Sequence, residues 1–299
     1  MAANVGFTAD AANPVSPLEP VEALKRAKRK GVFRVALTTK SGAVGAFLTV
    51  VCLSLAIFGP WLAPYSPLDF VSSPFDIPTP DYLLGADAMG RDALSRVLWG
   101  GQKILLLAAF ASVVGVVLGA LIGVSAAYLR GAADEVIMRC TDILLAFPQT
   151  ILALLVLSVL GTNLWIVAMI VAVIHAPQVA RVSRAAALRV IEEDYVAYAE
   201  LIGTPRHTVI LREVLPNITG PLLVELGLRF TYSVAIIAGL NFLGFGVQPP
   251  FADWGLMINE NRIGLESNPW PVVVPVVLIA ILTIGVNMLT DAVSRAATK

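Results

Sequence analysis

Residues 104–129 read ILLLAAFASVVGVVLGALIGVSAAYL, with no Asp, Glu, Lys or Arg among them. A helix of this length rises about 39 Å at about 1.5 Å per residue, and the hydrocarbon core of a bilayer is only about 30 Å thick. In lipid the backbone must satisfy its own N–H and C=O groups, so the run predicts a transmembrane helix. Gly115, Gly119 and Gly123 recur at every fourth position, a small-residue face suited to close helix packing.

Five further stretches qualify as spans: 42–62, roughly 137–160, roughly 164–179, roughly 222–247, and 271–289. The fourth is short and carries His175 and Pro177. The composition agrees. The chain has 299 residues, 57% apolar and 14% charged, with a mean hydropathy of +0.80, whereas soluble domains are about 25% charged. Its 21 basic and 21 acidic residues cancel, which argues against a nucleic-acid module. Cys52 and Cys140 are too few for a disulfide framework and read as small packing hydrophobes. The run from residue 42 starts too deep for a signal peptide and is followed by Pro60, Trp61 and Pro64 rather than a small-residue cleavage site, so it reads as a retained helix. The expected fold is an all-α membrane protein with six transmembrane helices.

Basic residues set the orientation. With the N-terminus inside, 16 Lys and Arg fall on the inner side and four (Arg91, Arg96, Lys103 and Arg262) outside. This predicts both termini inside. Residues 1–41 read as a cytosolic tail with a basic anchor for anionic lipid, 42–291 as the membrane domain and 292–299 as a C-terminal tail. Two long connections remain, 63–103 outside and 180–220 inside, and loops of that length usually have a task.

The inner loop reads as helix, turn, helix. Glu192, Glu193 and Asp194 suit a helix start. Gly203 suits the left-handed residue after a helix. Thr204 and Pro205 suit an N-cap and first helical position, and Pro216 is expected to end the second helix. Tyr195, Tyr198, Ala199 and Ile202 form one stripe at helical spacing. That stripe must bury itself against its own membrane helices or against a cytosolic partner.

The spacing from Ala199 through Gly203 to Leu215-Pro216-Asn217 resembles the coupling loop of ABC importer permeases. That family's Glu-Ala-Ala reads Ala197-Tyr198-Ala199 here, and Glu200 stands on a neighbouring face. The run Leu84 to Arg96, with Asp87, Gly90, Arg91 and Asp92, is similar to the signature of the dipeptide, oligopeptide and nickel branch. So are Met138 to Pro148, Asn241 to Pro250, Asp253-Trp254-Gly255 and Asn287 to Asp291. The resemblance implies a type I importer permease in a bacterial inner membrane, paired with a second related permease. It further implies two ATP-binding subunits, which carry ATP and Mg, and an external substrate-binding protein. Peptides are the implied cargo, with nickel chelates or peptide-like conjugates as alternatives. The stripe, with Glu200, Gly203, Leu215 and Pro216, would dock on the ATP-binding subunit.

The chain shows no ATP site of its own. Gly85 to Gly90 spaces like a phosphate loop, but Arg91-Asp92 stands in place of Lys and Ser/Thr. No reactive constellation suggests an enzyme, and His175 and His207 lack companions at metal-ligand spacing. Glu225 and Arg229, four residues apart near the inner end of the fifth span, are expected to pair and are candidates for the substrate path, as is Asn241. Asn241 and Asn287 also suit interhelical hydrogen bonding. The acidic outer loop (Asp69, Asp76, Asp81, Asp87 and Asp92) reads as a solvated loop packing on the partner permease or the binding protein, with steering of a cationic or zwitterionic ligand as the alternative, and with Arg91 and Asp92 pairing locally to Asp87 and Arg96. Trp61, Trp99 and Trp254 read as interfacial anchors. An ion-coupled secondary transporter is the competing class; it calls for an ionisable residue at mid-membrane.

Overall fold

The computed structural model describes residues 34–297. The elements used here are α1 Lys40–Leu62, α2 Ala93–Leu129, α3 Gly131–Leu145, α4 Gln149–Leu160, α5 Leu164–Ile191 and α6 Asp194–Leu201. They continue with α7 Arg206–Val209, a π turn Ile210–Val214, α8 Leu215–Asn217, α9 Thr219–Phe242, α10 Trp254–Asn261 and α11 Trp270–Ala297. Among the described residues, five helices (α1, α2, α5, α9 and α11) are long and apolar enough to cross a membrane, or six spans if α3 and α4 count as one broken span.

That broken pair departs from the expected continuous span at 137–160. The axes of α3 and α4 differ by 87°. Pro148 provides no N–H and disfavours the helical conformation at the residue before it, so the chain turns at 146–148. Other boundaries move too. Helix α2 begins at Ala93, eleven residues before the apolar run, because Asp92 Oδ2 caps it by accepting from Ser95 N at 2.8 Å. Helix α5 runs on to Ile191, through the first part of the expected inner loop, with Pro177 inside it. Helix α11 reaches Ala297, across most of the expected C-terminal tail, and Ala292 is buried there. Of the expected basic anchor, only Arg34 and Lys40 lie within the described residues.

The most extensive seam joins α2 and α5, and the three glycines bring it close. A Cβ on Gly119 would lie 2.5 Å from Val179 Cβ and 2.6 Å from the Ala176 carbonyl oxygen. One on Gly115 would lie 2.9 Å from the Ala172 oxygen, and one on Gly123 would collide with the Ala180 oxygen and Ser183 Oγ. The small-residue face therefore lets two backbones touch. Around this seam the main core gathers Ile104, Ala108, Ala111, Val167, Val171, Ile237, Leu240 and Leu282. A second cluster, with Val124, Ala187, Val214 and Ile218, closes the end of the bundle where α6 to α8 lie.

Candidate functional site: the α5–α9 connection and the buried ionic clusters

The connection between α5 and α9 folds as helix and turn. Asp194 opens α6 behind Glu193 at the N-cap. At its far end Gly203 takes φ +80°, with Gly203 N donating to the Glu200 oxygen at 3.0 Å and Thr204 N to the Ala199 oxygen at 3.1 Å. This pair of bonds is a Schellman motif. The next helix begins one residue later than expected. Pro205 is the N-cap, with Thr204 just outside, because the first helical bonds, from Thr208 N and Val209 N, go to the Pro205 oxygen. Pro216 does not end that helix. It follows a π turn in which Leu215 N reaches back to the Ile210 oxygen, and the chain bends at Ile218 instead. A proline ring is too close to the carbonyl four residues back for α geometry, and one widened turn accommodates it.

Helix α6 is held by few groups. Val196 is buried. The Tyr128 hydroxyl, at the end of α2, donates to Glu200 Oε1. Asn217 Nδ2 donates to the Tyr195 hydroxyl at 3.0 Å, and burial with the nearby Glu193 and Glu213 charges raises that phenol's pKa. The remaining face is uncovered. Tyr198 is 65% exposed, Ile202 64% and Leu201 85%. These three lie at i, i+3 and i+4, so they form one apolar ridge. Ala199 is only half-buried beside it. Leu201, the barest of these side chains, is absent from the stripe expected from sequence, although its spacing from Tyr198 carried the signal. Nothing in the spacing pointed to Tyr128, whose link to Glu200 exists only in three dimensions.

A second polar group lies between α5 and α9. Glu225 and Arg229 pair at 3.1 Å, with side chains 10% and 8% exposed. Arg229 Nη1 also donates to Gln178 Oε1 on α5, and its guanidinium lies 5.1 Å from the Tyr232 ring centroid. Nearby, His175 Nε2 and Ser233 Oγ are 3.1 Å apart. The pairing was legible at i, i+4, but its depth was not. Gly244, at φ +82°, stops α9 near Phe242 through Phe245 N to the Leu240 oxygen at 2.8 Å, and the helix begins at Thr219. Arg229 therefore sits near the middle of α9, not near its end.

The opposite end of the bundle is closed by buried charge. Asp87 Oδ2 pairs with Arg91 Nε at 2.8 Å and Arg96 Nε at 3.1 Å. Glu260 Oε2 on α10 pairs with Arg96 at 2.7 Å and Arg91 at 3.3 Å. Asp87, Arg91, Asp92 and Arg96 are all at most 2% exposed, so this part of the acidic loop is a core and not a solvated surface. Each arginine has two carboxylates and each carboxylate two arginines, which offsets the cost of burying four charges. Asp92 is not paired with Arg96; its carboxylate caps α2. Gly90 takes φ +80° and packs on the Ser72 carbonyl. The stretch is thus a folded clasp, its carboxylates turned inward, rather than a phosphate loop.

Asn241 and Trp254 serve the same clasp. Asn241 Nδ2 donates to Asp253 Oδ1 at 2.7 Å, and Oδ1 accepts from Val247 N at 3.1 Å. Asp253 Oδ1 also caps α10, accepting from Gly255 N and Leu256 N. Burial pushes the Asp253 pKa up to about 6, although Asn241 and the two backbone donors pull the other way. Trp254 is fully buried and donates Nε1–H to the Val97 oxygen at 2.9 Å. It is a core residue, because Gly100 and Gly101 leave room for its ring, and not an interfacial anchor. Trp61, 77% exposed, and Trp99, 38% exposed, keep open surfaces suited to one. Asn268 Nδ2 ties the loop to α11's start by donating to the Leu84 and Asp76 oxygens at 2.9 and 3.0 Å.

Residues 115–299 match the family model for the binding-protein-dependent transport system inner membrane component. A di/tripeptide transport system permease protein of Pseudomonas aeruginosa is 34% identical over 263 residues, covering 85% of this chain and 87% of that protein. A putative peptide transport system permease protein of Brucella suis is 35% identical over 253 residues, covering 84% and 85%. A glutathione transport system permease protein of Escherichia coli is 35% identical over 257 residues, 84% of each chain.

Proposed function

This chain belongs to the family of binding-protein-dependent transport system inner membrane components, and on that premise we propose that it is the membrane subunit of an ATP-driven peptide importer whose coupling element is α6. The observation that carries the coupling assignment is the uncovered ridge of Tyr198, Leu201 and Ile202 on a helix tethered at both flanks. The peptide cargo follows the relatives, which are named as peptide transport permeases. The glutathione permease among them favours a second cargo class, peptide-like conjugates.

In this reading the ridge docks in a groove of an ATP-binding subunit at the cytosolic face. Two such subunits hold ATP and Mg, and this chain contributes no cofactor. A second related permease completes the path, and a substrate-binding protein delivers cargo to the clasp built on Asp87, Gly90, Arg91 and Asp92. Burying one large apolar side chain contributes about 1.5–3 kcal/mol, so three supply roughly 5–9 kcal/mol before ordering costs. Turning a two-state transporter from 1:99 to 99:1 takes about 5.5 kcal/mol of differential binding. Contacts of this size are adequate if most of them change between states.

Movement would leave α6 by two routes. Glu200 passes it to α2 through Tyr128, and Tyr195 passes it through Asn217 to the π turn, Leu215 and Pro216, and so to α9. The test is co-purification followed by transport in proteoliposomes. The expected result is a complex with a related permease and ATP-binding subunits that accumulates dipeptide only with ATP and binding protein. Uptake by the chain alone, driven by a proton or sodium gradient, would overturn the reading in favour of a secondary transporter.

A further inference from the structure

We propose that the Glu225–Arg229 pair is a way-station that receives the two charged ends of a zwitterionic peptide in transit. This rests on the peptide reading above and specifies which groups of the chain meet the cargo.

Arg229 sits near the middle of α9, a candidate span, with Glu225 one turn toward its start, and within a span an isolated charge is costly and ionisable groups tend to mark a pathway. As packing, a buried ion pair gains little over apolar side chains of the same volume, so its presence needs another reason. The seam it occupies is polar on both sides. Arg229 is bonded to Gln178, and His175 meets Ser233 one turn further along α9. The same Gln178 lines a cavity of about 190 Å³ at the break between α3 and α4, together with Gln149, Phe147, Pro148 and Ile174. One side chain thus separates the cavity from the guanidinium. The 87° bend at Pro148 holds this space open beside α5.

Charge balance explains why a peptide suits the site. Glu225 and Arg229 are neutral together. A zwitterion that separates them places its ammonium on the carboxylate and its carboxylate on the guanidinium. One internal ion pair is exchanged for two, and every charge is paired both before and after the exchange. A peptide with blocked ends offers neither partner and would leave both protein charges bare if it parted them. A simple cation or anion would satisfy only one. The site is therefore chemically matched to free peptide termini and indifferent to side chains, as a general peptide carrier needs.

The experiment uses the complete detergent-purified transporter and a dipeptide of alanine and photoreactive benzoylphenylalanine. The expected outcome is covalent label in the 164–191 and 219–242 peptides, displaced at least tenfold more effectively by dialanine than by N-acetyl-dialanine amide. The double variant Glu225→Gln with Arg229→Gln keeps hydrogen-bonding groups without charge. It should co-purify with the partners yet lose at least tenfold of the label. If that variant does not assemble, the competition ratio in the parent complex decides the matter. Label elsewhere, equal competition by the blocked peptide, undiminished label in an assembled double variant, or no label in a complex that transports dialanine would each overturn the proposal. A complex that transports no peptide at all would instead overturn the cargo reading.

Discussion

The Tyr128 hydroxyl, on the last turn of α2, donates to the Glu200 carboxylate in α6, joining residues 72 positions apart. It is the side-chain bond that joins the exposed helix to α2. Removing it cuts that route from the docking surface to the rods and leaves the Tyr195–Asn217 link toward α9 in place.

Tyr128→Phe deletes the donor with almost no change in volume. Substrate moved per ATP hydrolysed should fall at least threefold in proteoliposomes, while membrane insertion and subunit assembly stay as in the parent. Glu200→Gln still accepts from the hydroxyl and should retain most of the coupling ratio. Equal ratios for Tyr128→Phe and the parent would remove this bond from the transmission route.

The ridge itself should behave as a docking hot spot. Tyr198→Ala or Leu201→Ala removes about 1.5–3 kcal/mol of apolar burial, which is roughly a 10–150-fold weaker complex. Retention of the ATP-binding subunits through size-exclusion chromatography measures this. Ala199→Ser, beside the ridge but half-buried, should change retention by less than about threefold. Full retention with both ridge variants would place the docking surface elsewhere.

Two glycines separate close packing from helix flexibility. Gly119→Ala puts a Cβ 2.5 Å from Val179 Cβ and 2.6 Å from a backbone oxygen, and overpacking of this kind costs about 1–3 kcal/mol. At Gly239, also helical, a Cβ meets nothing within 4 Å, and Ala there should be neutral or stabilising by up to about 1 kcal/mol. Thermal unfolding in one detergent compares them. A similar Tm for both variants would contradict the seam.

Asp253 gives the clasp a pH dependence. Its folded pKa of about 6 lies above the ordinary 3.8 because burial disfavours the anion. A raised folded pKa means that the fold prefers the neutral acid. The stabilising contribution is therefore complete below about pH 3.8 and is lost as the pH rises through about 6. Asp253→Asn is uncharged throughout. The Tm of the parent should fall relative to this variant as the pH rises from 4 to 7. A Tm difference independent of pH across that range would show that the carboxyl titrates normally.

What could be read from the sequence was whatever short-range chemistry dictates. The apolar runs gave the membrane class and all but one of the spans to within a shift of ends, since lipid leaves a spanning backbone few alternatives. Gly203 gave the close of α6, since only a residue free of Cβ enters the left-handed region without strain, and the i, i+4 spacing gave the Glu225–Arg229 pair. The motif around Asp87 to Arg96 marks the branch of the family, but in sequence its acidic residues read as surface, because burial of a carboxylate depends on which cations meet it. Only the tertiary structure supplied Glu260, 164 positions from Arg96, and it likewise decided that Trp254 is core, that Pro148 breaks a span, and that Tyr128 holds Glu200. These are decisions about which distant groups share a small volume. Period and propensity act over a few residues, while the neutralisation of a buried charge, the seating of an indole and the tether of a helix are settled by neighbours the chain reaches only after it has folded.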